Sequence, residues 1–185
     1  MNLTKLFEMQ RELDERIVKE KELEGKDLLP QKILALQVEL GECANEWRGF
    51  KFWSKDQQPR TLKVYSDRDA YLETNPLLEE YIDCLHFIFS IGIELSHKED
   101  LSNADMNEAL NYALTYFDDR DIVDLFNSTF DKIGDLSQFT NRGNYIRSFE
   151  KIIRLSKALG FTWEQIEAAY MDKNKTNHER QSTGY

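Results

Sequence analysis

At 185 residues the chain has room for one domain, or one domain with a sizeable insertion, and its 41% hydrophobic and 12% aromatic content is enough for a real core. A net charge of −10 argues against a general nucleic-acid binder, which needs a basic stripe, but leaves room for a nucleotide ligand, because bound cations reverse the local field. No apolar leader opens the chain and no run is long enough to cross a bilayer, so an intracellular, cytoplasmic and reduced protein with no membrane partner is expected.

The scarcity of breakers, 3 Pro and 8 Gly, favours long helices. Residues 2–24 keep a helical period through Leu3, Leu6, Phe7, Gln10, Leu13, Ile17 and Val18, and Gly25 ends it. A second helix is expected over 29–47, with Pro30 near its start, where a missing N–H is harmless. Its apolar side is Ile33, Leu36, Leu40, Cys43, Ala44 and Trp47. Residues 48–74 read as a loop with short helical pieces, and a third helix over 76–96 buries Leu78, Tyr81, Ile82, Leu85, Phe89 and Gly92. Polar residues 97–104 break the pattern. A helical region over 104–134 follows, open to a split at the Asp118–Asp121 cluster. The stretch 97–135 is read as a candidate moving part, and its aromatic residues Tyr112, Tyr116, Phe117, Phe126 and Phe130 suit core or interface equally. A fifth helix spans 142–159 and stops at Gly160; a sixth opens on the capping-box pair Thr162 and Gln165 and runs to about Lys173. Without an alternating strand pattern or a repeat, the fold class is all-α, a helical bundle around a four-helix core in a single domain.

Two acidic signatures carry the chemistry. ELGECANE at 39–46 puts Glu39, Glu42 and Glu46 at i, i+3, i+7, and EEYIDCLHF at 79–87 puts Glu80 and Asp83 at i, i+3. Such spacings share one helix face, where bare like charges repel. A hard divalent cation removes that cost, and oxygen ligands suit Mg²⁺ or Mn²⁺. The first set borders its helix's apolar stripe, where a ligand is both shielded by the core and open to a cleft. FKFWS at 50–54 then adds aromatic and basic groups suited to a base and its phosphates. Cys43 and Cys84 fit no zinc or redox spacing and read as small buried packing residues.

ExxE, a loop and ExxD together resemble the all-α nucleoside triphosphate pyrophosphohydrolases, which include MazG-type enzymes and the dimeric dUTPases. FKFWS, DCLHF at 83–87 and the tail pattern YxxKNxxNxxRQxxGY from Tyr170 to Tyr185 narrow the resemblance to the dimeric dUTPases. The resemblance implies Mg²⁺-dependent hydrolysis of dUTP by a homodimer, and whether dUDP is also a substrate stays open. It implies metal ligands at Glu39, Glu42, Glu80 and Asp83, with two or more metals per site. One of these carboxylates, or Glu46, orients or deprotonates water. Lys173 and Arg180, with Asn177 between them, match the phosphate clamp, and Lys51 and Lys55 add charge on the other side. Trp53 is suited to stack on uracil or to pack in the core; His86 to bond the base or sugar or to sit in the core. Phe87 is suited to pack under the deoxyribose. Gln10, in MQREL, resembles a position that reads the uracil edge, where an amide donates and accepts at once.

The chain departs from that pattern where many relatives have an Asn four residues before the ExxD glutamate: here Pro76 stands, after Asn75. Some relatives also continue past the GY pair. The apolar-poor tail is expected to be mobile until a nucleotide arrives. Two other readings stay open: a broader pyrophosphohydrolase acting on dCTP or non-standard nucleotides, and a non-catalytic acidic interaction module.

Overall fold

The computed structural model describes residues 3–67, 70–99, 101–115 and 120–183. Their order is α1 (Leu3–Glu20), α2 (Leu29–Trp47), β1 (Lys63–Asp67), β2 (Ala70–Thr74), α3 (Pro76–Lys98), α4 (Asn103–Thr115), α5 (Ile122–Gln138), α6 (Arg142–Ala158) and α7 (Trp163–Thr183). The all-α class holds, with a minor two-stranded ribbon added.

Helix α3 is the axis of the bundle. Tyr81, Ile82, Leu85, Ile88, Phe89, Ile91 and Leu95 are all buried, so it is apolar nearly all round, as a central helix must be. Helices α1, α2, α6 and α7 pack against it. Asn75 caps its start by accepting from the Leu78 N–H at 3.1 Å, and Pro76 occupies the first turn. The Asn75–Pro76 departure is thus a helix start.

Both cysteines are buried and unbonded to each other, as packing residues. Helices α4 and α5 do not stand apart from the bundle. Met106, Ala109, Leu110, Leu125, Phe126, Ile133 and Leu136 join the common core, α4 packing on α6 and α5 on both α6 and α2. Asp121 caps α5 through the Val123 N–H at 2.7 Å, which is the split expected in 104–134. Of the aromatic residues there, Phe126 is buried, Phe130 packs against the core, and Tyr112 is exposed beneath the Arg154 guanidinium. Tyr116, Phe117 and Asp118 lie outside the described residues.

Three expectations are corrected. The 48–74 loop contains the antiparallel pair β1–β2, in register Lys63 with Thr74 through Asp67 with Ala70. Lys63, Val64 and Tyr65 in succession are exposed, so the described start of the ribbon shows no core-facing alternation. The first helix ends at Glu20, before Gly25, and Ile17 and Val18 are only half-buried. The last helix runs ten residues past Lys173, to Thr183, where a mobile tail was expected. Its core-facing residues there are polar, with Asn174 buried, so hydrophobic period does not reveal it. Arg16 of α1 fastens it by donating to the His178 carbonyl and to Ser182 Oγ, each at 2.9 Å.

Gly160, at φ +83°, ends α6, and the N–H groups of Gly160 and Phe161 return to the carbonyls of Lys157 and Ser156. Thr162 and Gln165 then form the expected reciprocal box, Thr162 N–H to Gln165 Oε1 at 2.9 Å and Gln165 N–H to Thr162 Oγ1 at 3.3 Å. This corner sends α7 back along α1 and α3.

Candidate active site

Helices α2 and α3 run antiparallel, since Glu39 meets Asp83 and Lys32 meets Glu94 at 3.1 Å. Glu39, Glu80 and Asp83 each present one carboxylate oxygen within 4.8 Å of the others. Burial, then the facing charges of Asp83 and Glu42, pushes Glu39 up to about 7. Burial, then Asp83, Glu42 and Glu39, does the same to Glu80. Burial also raises Asp83, and the Lys173 ammonium, 2.5 Å from its Oδ2, partly offsets the rise.

A cleft of about 520 Å³ lies between α1, α2, α3 and α7. Its lining includes Glu39, Asp83, Lys173, Asn177 and Arg180. The last three lie at i, i+4, i+7 on the extended α7, so a single helix presents an ammonium, an amide and a guanidinium to the acidic trio. The lining also includes apolar Leu13, Ile17, Val18, Leu28 and Ala35, with Gln10, Asp14, Lys32, His86, Phe87 and Ser90.

Gln10 is almost wholly buried and tightly held. Its Oε1 lies 2.7 Å from His86 Nδ1 and accepts from the Tyr170 hydroxyl at 2.7 Å, and its Nε2 donates to Asp14 Oδ1 at 2.7 Å. Because Asp14 only accepts, the amide nitrogen must face it, and both His86 Nδ1 and Tyr170 must donate. Burial, with the Lys173 charge adding to it, pushes His86 down to about 3, so the ring is neutral with its proton on Nδ1. Its Nε2 is then a buried acceptor with no partner among the described residues. The imidazole stacks on the Tyr170 ring at 4.1 Å between centroids.

Of the expected site residues, Gln10, Glu39, Asp83, His86, Phe87, Lys173, Asn177 and Arg180 line this one cleft, and Glu80 adjoins it through the trio. Glu42 is exposed beside the trio, close enough to raise both glutamates. Four others lie elsewhere. Glu46 accepts from Arg60 at 2.9 Å, which ties the loop to the end of α2. Lys51 donates to Asn45 Oδ1 at 2.5 Å. Trp53 is 66% exposed in an edge-to-face cluster with Phe50 and Phe52, outside the cleft lining, and Lys55 is exposed in the same loop. Buried Arg48, in the left-handed conformation at φ +66°, pins that loop through the Asp56 carbonyl at 2.7 Å and its carboxylate at 3.2 Å. Gly184 and Tyr185 of the tail pattern lie outside the described residues. Asp14, Lys32 and Ser90 belong to no motif; only the four-residue step from Gln10 to Asp14 hints that these two share a face.

Carboxylates contributed by two packed helices are answered by cations on a third, in an all-α fold. A family model described as dUTPase matches residues 2–185, nearly the whole chain, and the chain belongs to that family. The protein is therefore an enzyme, a dUTP diphosphatase, that binds a nucleotide and hydrolyses dUTP. No curated protein matches the chain significantly. Among the described residues no helix is long and apolar enough to cross a membrane.

Proposed function

We propose that the chain hydrolyses dUTP to dUMP and pyrophosphate with Mg²⁺ held by Glu39, Glu42, Glu80 and Asp83, and so clears dUTP from a cytoplasmic nucleotide pool. The observation that carries this reading is the oxygen-only trio, three carboxylates within 4.8 Å whose negative charge is met by two raised proton affinities and one lysine. That donor set suits a hard cation, and four carboxylates exceed what one Mg²⁺ takes, so two or more ions fit, with Mn²⁺ as substitute. When bound, such ions neutralise the phosphates and acidify an attacking water.

The chain's own residues supply the rest. Arg180 suits a bidentate phosphate contact and Lys173 a point charge; Asn177 stands between them on the same face. Lys173, which holds Asp83 at 2.5 Å, would be free to meet the phosphates were a cation held by that carboxylate. Glu42, exposed and adjacent to the trio, orients the attacking water. Phe87 lies against the deoxyribose, and Gln10 and His86 stand toward the base. Trp53, Lys51 and Lys55, on the projecting loop, reach a nucleotide only if the loop moves or a second subunit presents it. A homodimer is supported by exposed Leu34 (61%) and Val38 (49%), four residues apart on α2. Leu34 lines a groove with Ser137 and Thr140, which flank exposed Phe139.

The test is pyrophosphate release from dUTP, dCTP and dTTP with Mg²⁺, Mn²⁺ or chelator, and phosphate release from dUDP. Strong preference for dUTP, abolished by chelation and by Glu42→Gln, is expected. Equal rates on the three triphosphates, or turnover indifferent to chelator, would overturn the reading.

A further inference from the structure

We propose that His178 is a positioning residue: its neutral imidazole helps lock the final turns of α7 to α1, and protonation of the ring loosens that lock and with it the placement of Arg180. The lock stands on its own contacts. Its effect on substrate rests on the phosphate contact assigned to Arg180 above.

The end of α7 has little packing to hold it. The buried residues of this helix are Ile166, Tyr170 and Asn174, and none of residues 175–183 is buried. Helix ends of that kind open first, so their order depends on the polar bonds they make.

The Arg16 guanidinium makes those bonds. Its Nε donates to Glu20 Oε1 at 2.7 Å, which holds the group against its own helix. Nη2 donates to Ser182 Oγ and Nη1 to the His178 carbonyl, each at 2.9 Å. Nη1 also lies 3.3 Å from His178 Nδ1. A guanidinium has donors only and keeps its charge. The contact therefore needs a lone pair on Nδ1, and the proton of the neutral ring must sit on Nε2. His86 holds the opposite form, because its Nδ1 donates to Gln10.

Protonation inverts the His178 contact. Nδ1 becomes a donor aimed at a donor, and two positive groups face each other. Histidine is the side chain whose charge ordinarily changes between about pH 5 and 8. The charged groups around the ring are Arg16 and, bonded to it, Glu20 on α1. On α7 itself they are Lys175 and Glu179, which pair with each other at 3.9 Å, and Arg180. Glu20 offsets part of the added charge, and the bonds to the carbonyl and Ser182 remain. The lock thus loosens rather than breaks. Arg180 rides on these same turns and lines the cleft, whereas Lys173 lies before them and keeps its own hold on Asp83. Acid therefore weakens the guanidinium end of the phosphate clamp and spares the ammonium end.

The test uses the full chain as wild type and as His178→Asn, whose side chain can accept near the position of Nδ1 and cannot take up a proton. Nitrogen-15 NMR at pH 8 reads the ring directly. His178 is expected as the Nε2–H form and His86 as the Nδ1–H form; His178 protonated on Nδ1 overturns the proposal without any variant. Hydrogen exchange in peptides covering 178–183 is then compared between the two proteins at pH 8 and at pH 5.5, so that intrinsic rates cancel at each pH. The wild-type-to-variant exchange ratio is expected to rise about 3–10-fold on acidification, and not to rise when both proteins also carry Arg16→Ala. A ratio that stays level, or that rises without Arg16, overturns the lock. The same ratio of KM for dUTP with Mg²⁺ is expected to rise about 3-fold while the kcat ratio holds, the acidic trio titrating alike in both proteins. A level KM ratio beside responsive exchange overturns the link through Arg180 and the phosphate contact it rests on. The first two readouts need no turnover, so failure of the lock and failure of the nucleotide reading are told apart.

Discussion

Glu39 and Glu80 hold protons near neutrality because each is half-buried beside other carboxylates, and this gives the free enzyme an unusual pH response. Both stand at about 7 in the folded chain against an ordinary 4.5. Between those values the folded chain keeps protons that the unfolded chain has lost. Their contribution to stability is therefore complete below pH 4.5 and disappears as pH rises through about 7. A cation must displace these protons. Mg²⁺ binding at pH 6 is expected to release up to about two protons per site, and almost none at pH 8.5, measurable with a pH indicator in weak buffer. Release that does not vary with pH would remove these two glutamates from the metal site. His86 works in the opposite sense. Its folded value of about 3 lies below the ordinary 6.5, so the unfolded chain takes up a proton first and stability falls as pH drops from 6.5 toward 3. The urea midpoint of wild type is expected to fall more between pH 6.5 and 4.5 than that of His86→Gln.

Helix α7 and the α3–α6 contact show how elements hold the site. A methyl group on Gly92 would meet the Tyr145 hydroxyl at 2.2 Å and its ring at 2.6 Å, while that hydroxyl donates to the Ile88 carbonyl at 3.1 Å. Gly92→Ala is expected to destabilise the fold by about 1–3 kcal/mol, with partial recovery in Gly92→Ala/Tyr145→Phe, read by chemical denaturation. Loss of Arg16 removes both anchors of the last turns of α7, which carry Arg180. Arg16→Ala is expected to raise KM for dUTP roughly 3–10-fold with kcat little changed.

These elements also mark what could be read from the amino acids alone. Period-3.6 stripes and caps such as Thr162–Gln165 made α2, α3, α6 and the start of α7 legible, because the physics involved spans a few neighbouring residues. The pairing of Glu80 with Asp83 was legible for the same reason. The final turns of α7 escaped because their inward face is polar, and β1–β2 because Lys63, Val64 and Tyr65 of its first strand are all exposed. The network around Gln10 and Asp14 depends on contacts between residues 76 apart in sequence, and the Glu46–Arg60 pair on a loop closing over 14 residues. Neither leaves a local trace.

At the scale of the molecule, the cleft is lined by α1, α2, α3 and α7, while α4 and α5 add to the common core without lining it. A moving role for 97–135 is tested by hydrogen exchange on α4 and α5. Slower exchange with Mg²⁺ and a non-hydrolysable dUTP analogue is expected, and unchanged exchange would assign these helices a packing role alone. Sedimentation settles the subunit count: a dimer that dissociates in Leu34→Asp/Val38→Asp is expected from the apolar face of α2.

The Lys173–Asp83 contact has a consequence for how the protein comes to maturity. With one acid answered by an ammonium and two more taking up protons around pH 7, the newly made bundle has part of the repulsion among these acids relieved without an ion. Assembly of the helices need not wait for an ion, as it does in proteins whose folding is bought with a metal. Stripping with chelator should leave the helical circular-dichroism signal intact and allow full return of turnover when Mg²⁺ is added back.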